Sequence, residues 1–126
     1  MKEITKQWIK KAEEDYIVTS REIELDKPVC SAICFHSQQA VEKYIKAVLQ
    51  ENEIYFPKTH DLENLMDLCK EYIPELEQLA DGLLWLTSYA VEVRYPGITA
   101  RKKEAIKSYE IAKKVRDMVR RHLDVD

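Results

Sequence analysis

The chain has 126 residues, enough for one core and too few for two comfortable domains, so we expect a single domain over residues 1–126. Two glycines and four prolines are too few for the turns of a β-sheet, and we predict an all-α protein. The 20 basic and 23 acidic residues give a net charge of -3, which excludes a protein that coats duplex nucleic acid through bulk charge.

The N-terminal segment MKEITKQWIKKAEEDY is charged where a signal peptide would be apolar, and no apolar run approaches the roughly 20 residues that cross a bilayer. We therefore expect a cytoplasmic protein without membrane contact. Three cysteines fit reduced thiols better than a disulfide framework. No glycine-rich phosphate loop occurs, and we predict no bound cofactor and no nucleotidyltransferase site in this chain.

Apolar or small residues recur every three or four positions at the start of the chain, which predicts a first helix ending near Ile23. The expected buried stripe of this helix is Ile4, Trp8, Ala12, Tyr16, Thr19 and Ile23. Pro28 is suited to a first helical turn, and we predict a second, central helix from Pro28 to Glu51. Its expected buried residues are Ile33, Phe35, Val41, Tyr44, Ile45, Val48 and Leu49.

Three further helices are predicted, and the whole is expected to form an up-and-down bundle of four to five helices. Thr59 is positioned to cap a third helix over residues 61–72, and Pro74 opens a fourth over residues 74–95. The fourth is so apolar that we expect part of it to pack against another subunit. A last helix runs from Arg101 to about Leu123.

Polar residues of the second helix fall on one face. Gln39, Lys43, Lys46 and Gln50 follow a spacing of three or four, which would place amides and ammonium groups together where they could meet an anion. The alternative interpretation is a solvent-exposed helix face, on which Glu42 and Lys46 form an ordinary pair contributing about 0.3–0.5 kcal/mol. Spacing alone favours the alternative.

Three segments in order, residues 39–47 (QAVEKYIKA), 58–62 (KTHDL) and 94–96 (RYP), resemble the HEPN family, for higher eukaryotes and prokaryotes nucleotide-binding. The first helix, with Trp8 and Asp15, resembles the family's opening helix. The resemblance implies a helical bundle, commonly a homodimer, that binds nucleotide or RNA and often acts with a small nucleotidyltransferase, sometimes as toxin and antitoxin. The binding residues expected on this basis are Gln39, Lys43, Lys46, Lys58, His60, Arg94 and Tyr95.

Many members of that family are metal-independent ribonucleases with an arginine followed, after four to six residues, by a histidine. Arg94 stands at the matching place, but residues 99–101 are Thr-Ala-Arg, so the expected proton-transfer partner is missing. Arg116 and His122 match formally inside the last helix. We interpret His122 as a last-turn residue interacting with the helix dipole. If the protein is an enzyme, the catalytic candidates are Arg94, His60 and His122.

Two of these residues have a second interpretation. Arg94 could bind phosphate, or it could pair with Glu92 and satisfy carbonyls at a helix end. Tyr95 could stack on a base or pack in the core, and core packing is the favoured interpretation.

Cys30, Cys34 and His36 are close enough in sequence to raise the question of a metal site. His36 points about 200° around the helix from Cys34, so we predict buried thiols, a partly buried histidine and no metal.

Three functional hypotheses follow from these observations. The first is a nucleotide- or RNA-binding module, the second a metal-independent endoribonuclease, and the third a purely structural dimer that works through its fourth helix.

Overall fold

The computed structural model describes residues 1–125, which form five α-helices and one short 3-10 helix. The α-helices are α1 (Glu3–Glu22), α2 (Cys30–Glu51), α3 (Leu62–Cys69), α4 (Ala80–Glu92) and α5 (Lys102–His122). The 3-10 helix, Pro74–Leu79, leads directly into α4. Residues 1–125 contain no β-strand, so the prediction of an all-α helical bundle is confirmed.

Helix α2 is the central helix, as predicted, because α1, α3, α4 and α5 all pack against it. Its residues are buried almost continuously along its second half rather than along one stripe. The large side chains Ile33, Tyr44, Ile45 and Leu49 have no exposed surface. Full burial of such a side chain stabilises the fold by about 1.5–3 kcal/mol. A helix enclosed on most sides must therefore hold its polar residues in internal hydrogen bonds.

Hydrogen bonds between α1 and its neighbours give the helix directions. Near one end, Thr5 Oγ1 donates to Glu51 Oε1 at 2.8 Å, and near the other Thr19 Oγ1 lies 2.9 Å from Ser37 Oγ. These pairs make α1 and α2 antiparallel. Helix α5 is also antiparallel to α1, since Tyr16 stacks on Tyr109 while Glu13, one turn earlier, binds Arg116.

Besides helix ends that differ by up to three residues, the structure corrects three details of the sequence prediction. Ile4 was expected in the buried stripe of the first helix, but it is exposed, and Thr5 is buried instead because its hydroxyl reaches Glu51. Thr59 was expected to cap the third helix, whereas the Asp61 side chain accepts the hydrogen bonds of the Glu63 and Asn64 amides in its first turn. The fourth helix was expected to start as an α-helix at Pro74, but Pro74–Leu79 is a 3-10 helix.

Among residues 1–125, no helix has both the length and the apolar character that crossing a membrane requires.

Candidate functional site

A cavity of about 220 Å³ lies where three parts of the chain meet. The N-terminal half of α2, the connector before α3 and the C-terminal end of α4 each contribute to its wall. The residues that line it are Phe35, Gln38, Gln39, His60, Ala90, Val91 and Arg94. Three of the predicted binding residues, Gln39, His60 and Arg94, are therefore brought together although 55 positions separate the first from the last.

The wall of the cavity rests on a buried carboxylate, that of Glu42, whose side chain is 4% exposed. Lys46 Nζ donates to Glu42 Oε2 at 3.0 Å, and the other oxygen lies 2.8 Å from His60 Nδ1 and 3.3 Å from Gln38 Nε2. A buried charge needs partners of this kind, because an unpaired one costs several kcal/mol. The Glu42–Lys46 pair was one alternative prediction for an exposed helix face. The pair exists, but it is buried.

Two amide side chains continue this network towards the cavity. Gln38 Nε2 also donates to the backbone carbonyl of His60 at 3.1 Å, which ties the connector to α2. Gln39 Nε2 donates to Gln38 Oε1 at 2.7 Å. The Gln39 amide oxygen has no hydrogen-bond partner within residues 1–125, so it is an acceptor open to a ligand.

His60 has an exposed imidazole that is held from one side. Its side chain is 76% exposed, while Nδ1 contacts the buried Glu42 carboxylate. Because a carboxylate only accepts hydrogen bonds, Nδ1 must carry the proton in this contact. Nε2 is then the ring atom left for a ligand, as an acceptor in the neutral ring and as a donor in the protonated ring.

The guanidinium group of Arg94 lies against an aromatic ring of the cavity wall. Its central carbon lies 4.7 Å from the centroid of the Phe35 ring, a cation–π arrangement. Within residues 1–125 the group forms no ion pair and donates no side-chain hydrogen bond, so the predicted alternative of pairing with Glu92 is not observed. Its five N–H donors are available to an anion.

Lys43 and Lys46, also predicted to bind the ligand, have ammonium groups occupied by carboxylates of the same chain. Lys43 Nζ pairs with Asp15, whose other oxygen is 2.8 Å from His36 Nδ1. Lys46 is 7% exposed and lies 5.5 Å and 5.8 Å from the centroids of Trp8 and Phe56. Neither lysine lines the cavity. Both instead fix the polar framework behind it.

The remaining predicted residues lie outside the cavity wall. Lys58 is exposed on the connector. Tyr95 is 66% exposed, so the prediction that it packs in the core is wrong: the chain leaves α4 before this position and turns into solvent. His122 is the final residue of α5, where a last-turn residue was predicted. Arg116, its formal partner, donates to Glu13 at 2.9 Å and 3.2 Å.

The cysteines are free thiols, with Cys34 and Cys69 buried and Cys30 half-buried. Burial raises the pKa of Cys34, and it raises the pKa of Cys69 to about 12, so both thiols are poor nucleophiles. His36 is partly buried, as predicted, and bonds to Asp15. Residues 1–125 contain no group of three potential ligands arranged to hold a metal ion.

Sequence reasoning missed Phe35, Gln38, Ala90 and Val91 as wall residues and the structural role of Glu42. One signal could have found two of them. Gln38, Glu42 and Lys46 form a polar row at a spacing of four on the helix predicted to be the most deeply buried. Such a row in a buried helix indicates an internal hydrogen-bond network.

Comparison with known proteins identifies the family of this chain. Searches against curated proteins and against solved structures found no match. A family model described as the HEPN domain matches residues 5–122, a range that contains every residue of the cavity. Because this match extends over nearly the whole chain, the protein belongs to the HEPN family.

Proposed function

We propose that this protein binds a nucleotide or RNA through a phosphate group placed in the cavity beside Arg94, and that it works as a binding module. The observation that carries the proposal is the free guanidinium of Arg94, stacked on Phe35 in a cavity that also holds His60 and Gln39. A guanidinium group without a protein partner matches the planar fork of donors that recognises phosphate oxygens.

Local charge supports an anionic ligand although the chain as a whole carries a net charge of -3. Glu42 is the carboxylate behind the cavity, and the ammonium of Lys46 neutralises it at 3.0 Å. Arg94 then leaves the cavity with an uncompensated positive charge. Oriented donors around such a site attract an anion with little reorganisation of the protein.

The proposed contacts separate into two groups. Gln39, His60 and Arg94 contact the phosphate inside the cavity. Lys58 and Tyr95 lie just outside, each within two residues of a wall residue and each exposed, and we assign them to the adjoining ribose, base or backbone. Lys43 and Lys46 contribute indirectly, since their ammonium groups hold the carboxylates of Asp15 and Glu42.

The test is the affinity for a labelled mixed-sequence single-stranded RNA and for labelled ATP, measured by fluorescence anisotropy. Arg94→Gln is expected to weaken binding by about tenfold or more, because a charge-assisted hydrogen bond contributes about 1.5–3 kcal/mol. Arg121→Gln, which removes the same charge from an exposed position on α5, is the control and is expected to bind like the wild type. Equal affinities for wild type and Arg94→Gln would overturn the proposal.

A second candidate function, metal-independent cleavage of RNA, is supported by one observation. His60, oriented by Glu42 at 2.8 Å, shares the cavity with Arg94, although no histidine follows Arg94 at the ribonuclease spacing. Incubating the same RNA in chelator with wild type, His60→Asn and His122→Asn tests this candidate. Cleavage that is lost only in His60→Asn would establish the ribonuclease candidate. Intact RNA in all samples would contradict it and favour the binding module.

The family membership supports two further parts of the proposal. The first is that the protein acts in the cytoplasm. The second is that it forms a toxin–antitoxin pair with a separate small nucleotidyltransferase, and that this partner supplies any transferase chemistry. Co-expression with a candidate partner and recovery of a stable complex by affinity purification is the test. A partner that elutes separately at micromolar concentration would contradict this pairing.

A further inference from the structure

We infer that the cavity selects a phosphate monoester, the terminal phosphate of a free nucleotide or of an RNA end, and that Glu42 is the positioning residue that holds His60 against it. This inference rests on the proposed function and narrows it, since phosphate binding in general would also be satisfied by the internal diesters of an RNA chain.

The number of donors is the first argument. A phosphate monoester presents three non-bridging oxygens, whereas a diester presents two. Arg94 offers a fork that can engage two oxygens at once. His60, which enters the cavity from a different part of the chain, offers Nε2 for another. Contacts from two separate elements match three non-bridging oxygens better than two.

The charge balance is the second argument. Glu42 and Lys46 cancel each other behind the wall, at 3.0 Å and with both side chains at most 7% exposed. Arg94 then gives this cavity of about 220 Å³ a net positive charge. A monoester near neutral pH carries between about 1.5 and 2 negative charges, and a diester carries one. The positive cavity therefore attracts a monoester more strongly than a diester.

The charged groups around His60 show which of them orients its imidazole ring. From α2 it faces the carboxylate of Glu42, with Lys46 on the other oxygen of that carboxylate. From the end of α4, Arg94 shares the cavity. On its own connector, the Asp61 side chain accepts hydrogen bonds from the backbone amides of Glu63 and Asn64. Glu42 is therefore the carboxylate in contact with the imidazole, and it orients the ring.

The apolar part of the wall is the third argument. Phe35, Ala90 and Val91 contribute no side-chain donor or acceptor to the cavity. An internal diester must continue as chain on both sides of the phosphate, and this wall would leave one of the two polar continuations without partners. A terminal phosphate has one ester substituent and needs one exit.

The experiment uses the full chain and calorimetric titration with five probes at pH 7. The first two are AMP and adenosine. The other three are one short oligoribonucleotide with a 5′-phosphate, with a 3′-phosphate, and with hydroxyl groups at both ends. We expect at least one phosphorylated probe to bind about tenfold tighter than its unphosphorylated counterpart, the gain of one additional charge-assisted contact.

The pattern of binding separates the two ideas and the two sources of the phosphate. Preference for AMP alone identifies a free nucleotide, and preference for a phosphorylated oligonucleotide identifies an RNA end; either result supports the inference. Equal binding of phosphorylated and hydroxyl-ended RNA, together with equal binding of AMP and adenosine, would overturn the inference while the proposed function stands. Absence of binding by all five probes would overturn both.

Variants test the roles of His60 and Glu42. Because the His60 side chain is 76% exposed, His60→Asn is expected to leave the fold intact and to bring the monoester-to-diester affinity ratio close to one. Lys114→Gln, an exposed charge loss on α5, should keep the wild-type ratio. A wild-type ratio in His60→Asn would overturn the assignment.

Glu42→Gln is the test of positioning, and its readout is the ¹⁵N NMR shifts of the His60 ring. In the wild type we expect the tautomer protonated at Nδ1, and in the variant a mixture of tautomers with a lowered affinity ratio. Wild-type ring shifts in a folded Glu42→Gln protein would show that this carboxylate does not position His60. Should that variant unfold, the His60→Asn ratio still decides whether His60 selects the monoester.

Discussion

At the scale of single residues, carboxylates that accept several hydrogen bonds organise both the site and the packing of α1 against α5. Glu13 on α1 is the clearest case away from the cavity. It accepts hydrogen bonds from Tyr44 at 2.7 Å, from Arg116 at 2.9 Å and 3.2 Å, and from Arg120 at 2.8 Å. Burial by itself would raise the pKa of Glu13, but the hydrogen bonds from Arg116 and Tyr44 and the nearby arginine charges bring it below its ordinary value.

This lowered pKa predicts a pH-dependent contribution to stability. The ionised Glu13 contributes fully above the ordinary carboxyl pKa of 4.5, and the contribution is lost as the pH falls through the lower pKa of the folded protein. Glu13→Gln is expected to reduce the free energy of unfolding by about 2 kcal/mol at pH 7, and by progressively less below about pH 4.5.

Chemical denaturation between pH 7 and pH 3 measures the effect. Glu14→Gln, a neighbouring exposed position, serves as the control and is expected to change stability little at any pH. A Glu13→Gln deficit that stays constant down to pH 3 would contradict the prediction.

At the scale of elements, the connector that carries His60 is anchored next to that residue by contacts with α2, α3 and α4. Gln38 holds the His60 carbonyl on the α2 side. At the next residue, Asp61 Oδ1 accepts hydrogen bonds from the amides of Glu63 at 3.0 Å and Asn64 at 3.4 Å, which caps α3. The Leu62 amide donates to Thr87 Oγ1 of α4 at 3.1 Å. The geometry of the cavity therefore depends on how a short helix begins.

Removing this cap is expected to weaken both the fold and the site. Asp61→Ala should lower the free energy of unfolding by about 1 kcal/mol, the usual contribution of an N-cap side chain. It should also reduce phosphate binding, because the connector loses one anchor. Asp61→Asn retains the cap and is expected to resemble the wild type. Equal stability of the alanine and asparagine variants in urea denaturation would show that the cap does not hold the connector.

At the scale of the whole molecule, one continuous core surrounds α2 and includes residues of every α-helix. This continuity supports the proposal that residues 1–126 fold as one domain. The outer surface of α4 carries large apolar side chains that are half exposed. Leu84 is 50% exposed and Val91 51%, and the spacing of seven places both on one face of α4. An exposed apolar stripe of this kind is typical of a surface that pairs with another protein.

We predict that the protein forms a homodimer through this stripe, which would cover it with a second copy of itself. Leu84→Glu is expected to shift the protein from dimer to monomer, since a charge in an apolar interface loses its hydration. Val18→Glu, at an exposed apolar position of α1, is the control and should stay dimeric. Sedimentation equilibrium at micromolar concentration gives the masses. A monomeric wild type would rule this interface out.

Much of the fold follows from the sequence alone. The scarcity of glycine and proline and the recurrence of apolar residues predict the five helical segments and the central place of α2, because periodicity reports which face of a helix is buried. The differences are local. The turn before α3 is capped by Asp61 because the geometry of the chain, and not the residue type alone, decides which side chain reaches the free amides.

The site could be predicted only as a set of candidates. Gln39, Lys43 and Lys46 share one face of α2, and nothing in their spacing distinguishes them. Tertiary structure decides the matter, because Lys43 meets Asp15 from α1 and Lys46 is enclosed with Glu42, while Arg94 meets no carboxylate within residues 1–125. Whether a charge is neutralised depends on partners far away in the sequence. Helical periodicity carries no information about those partners, so only the packing of the bundle determines which polar groups remain free for a ligand.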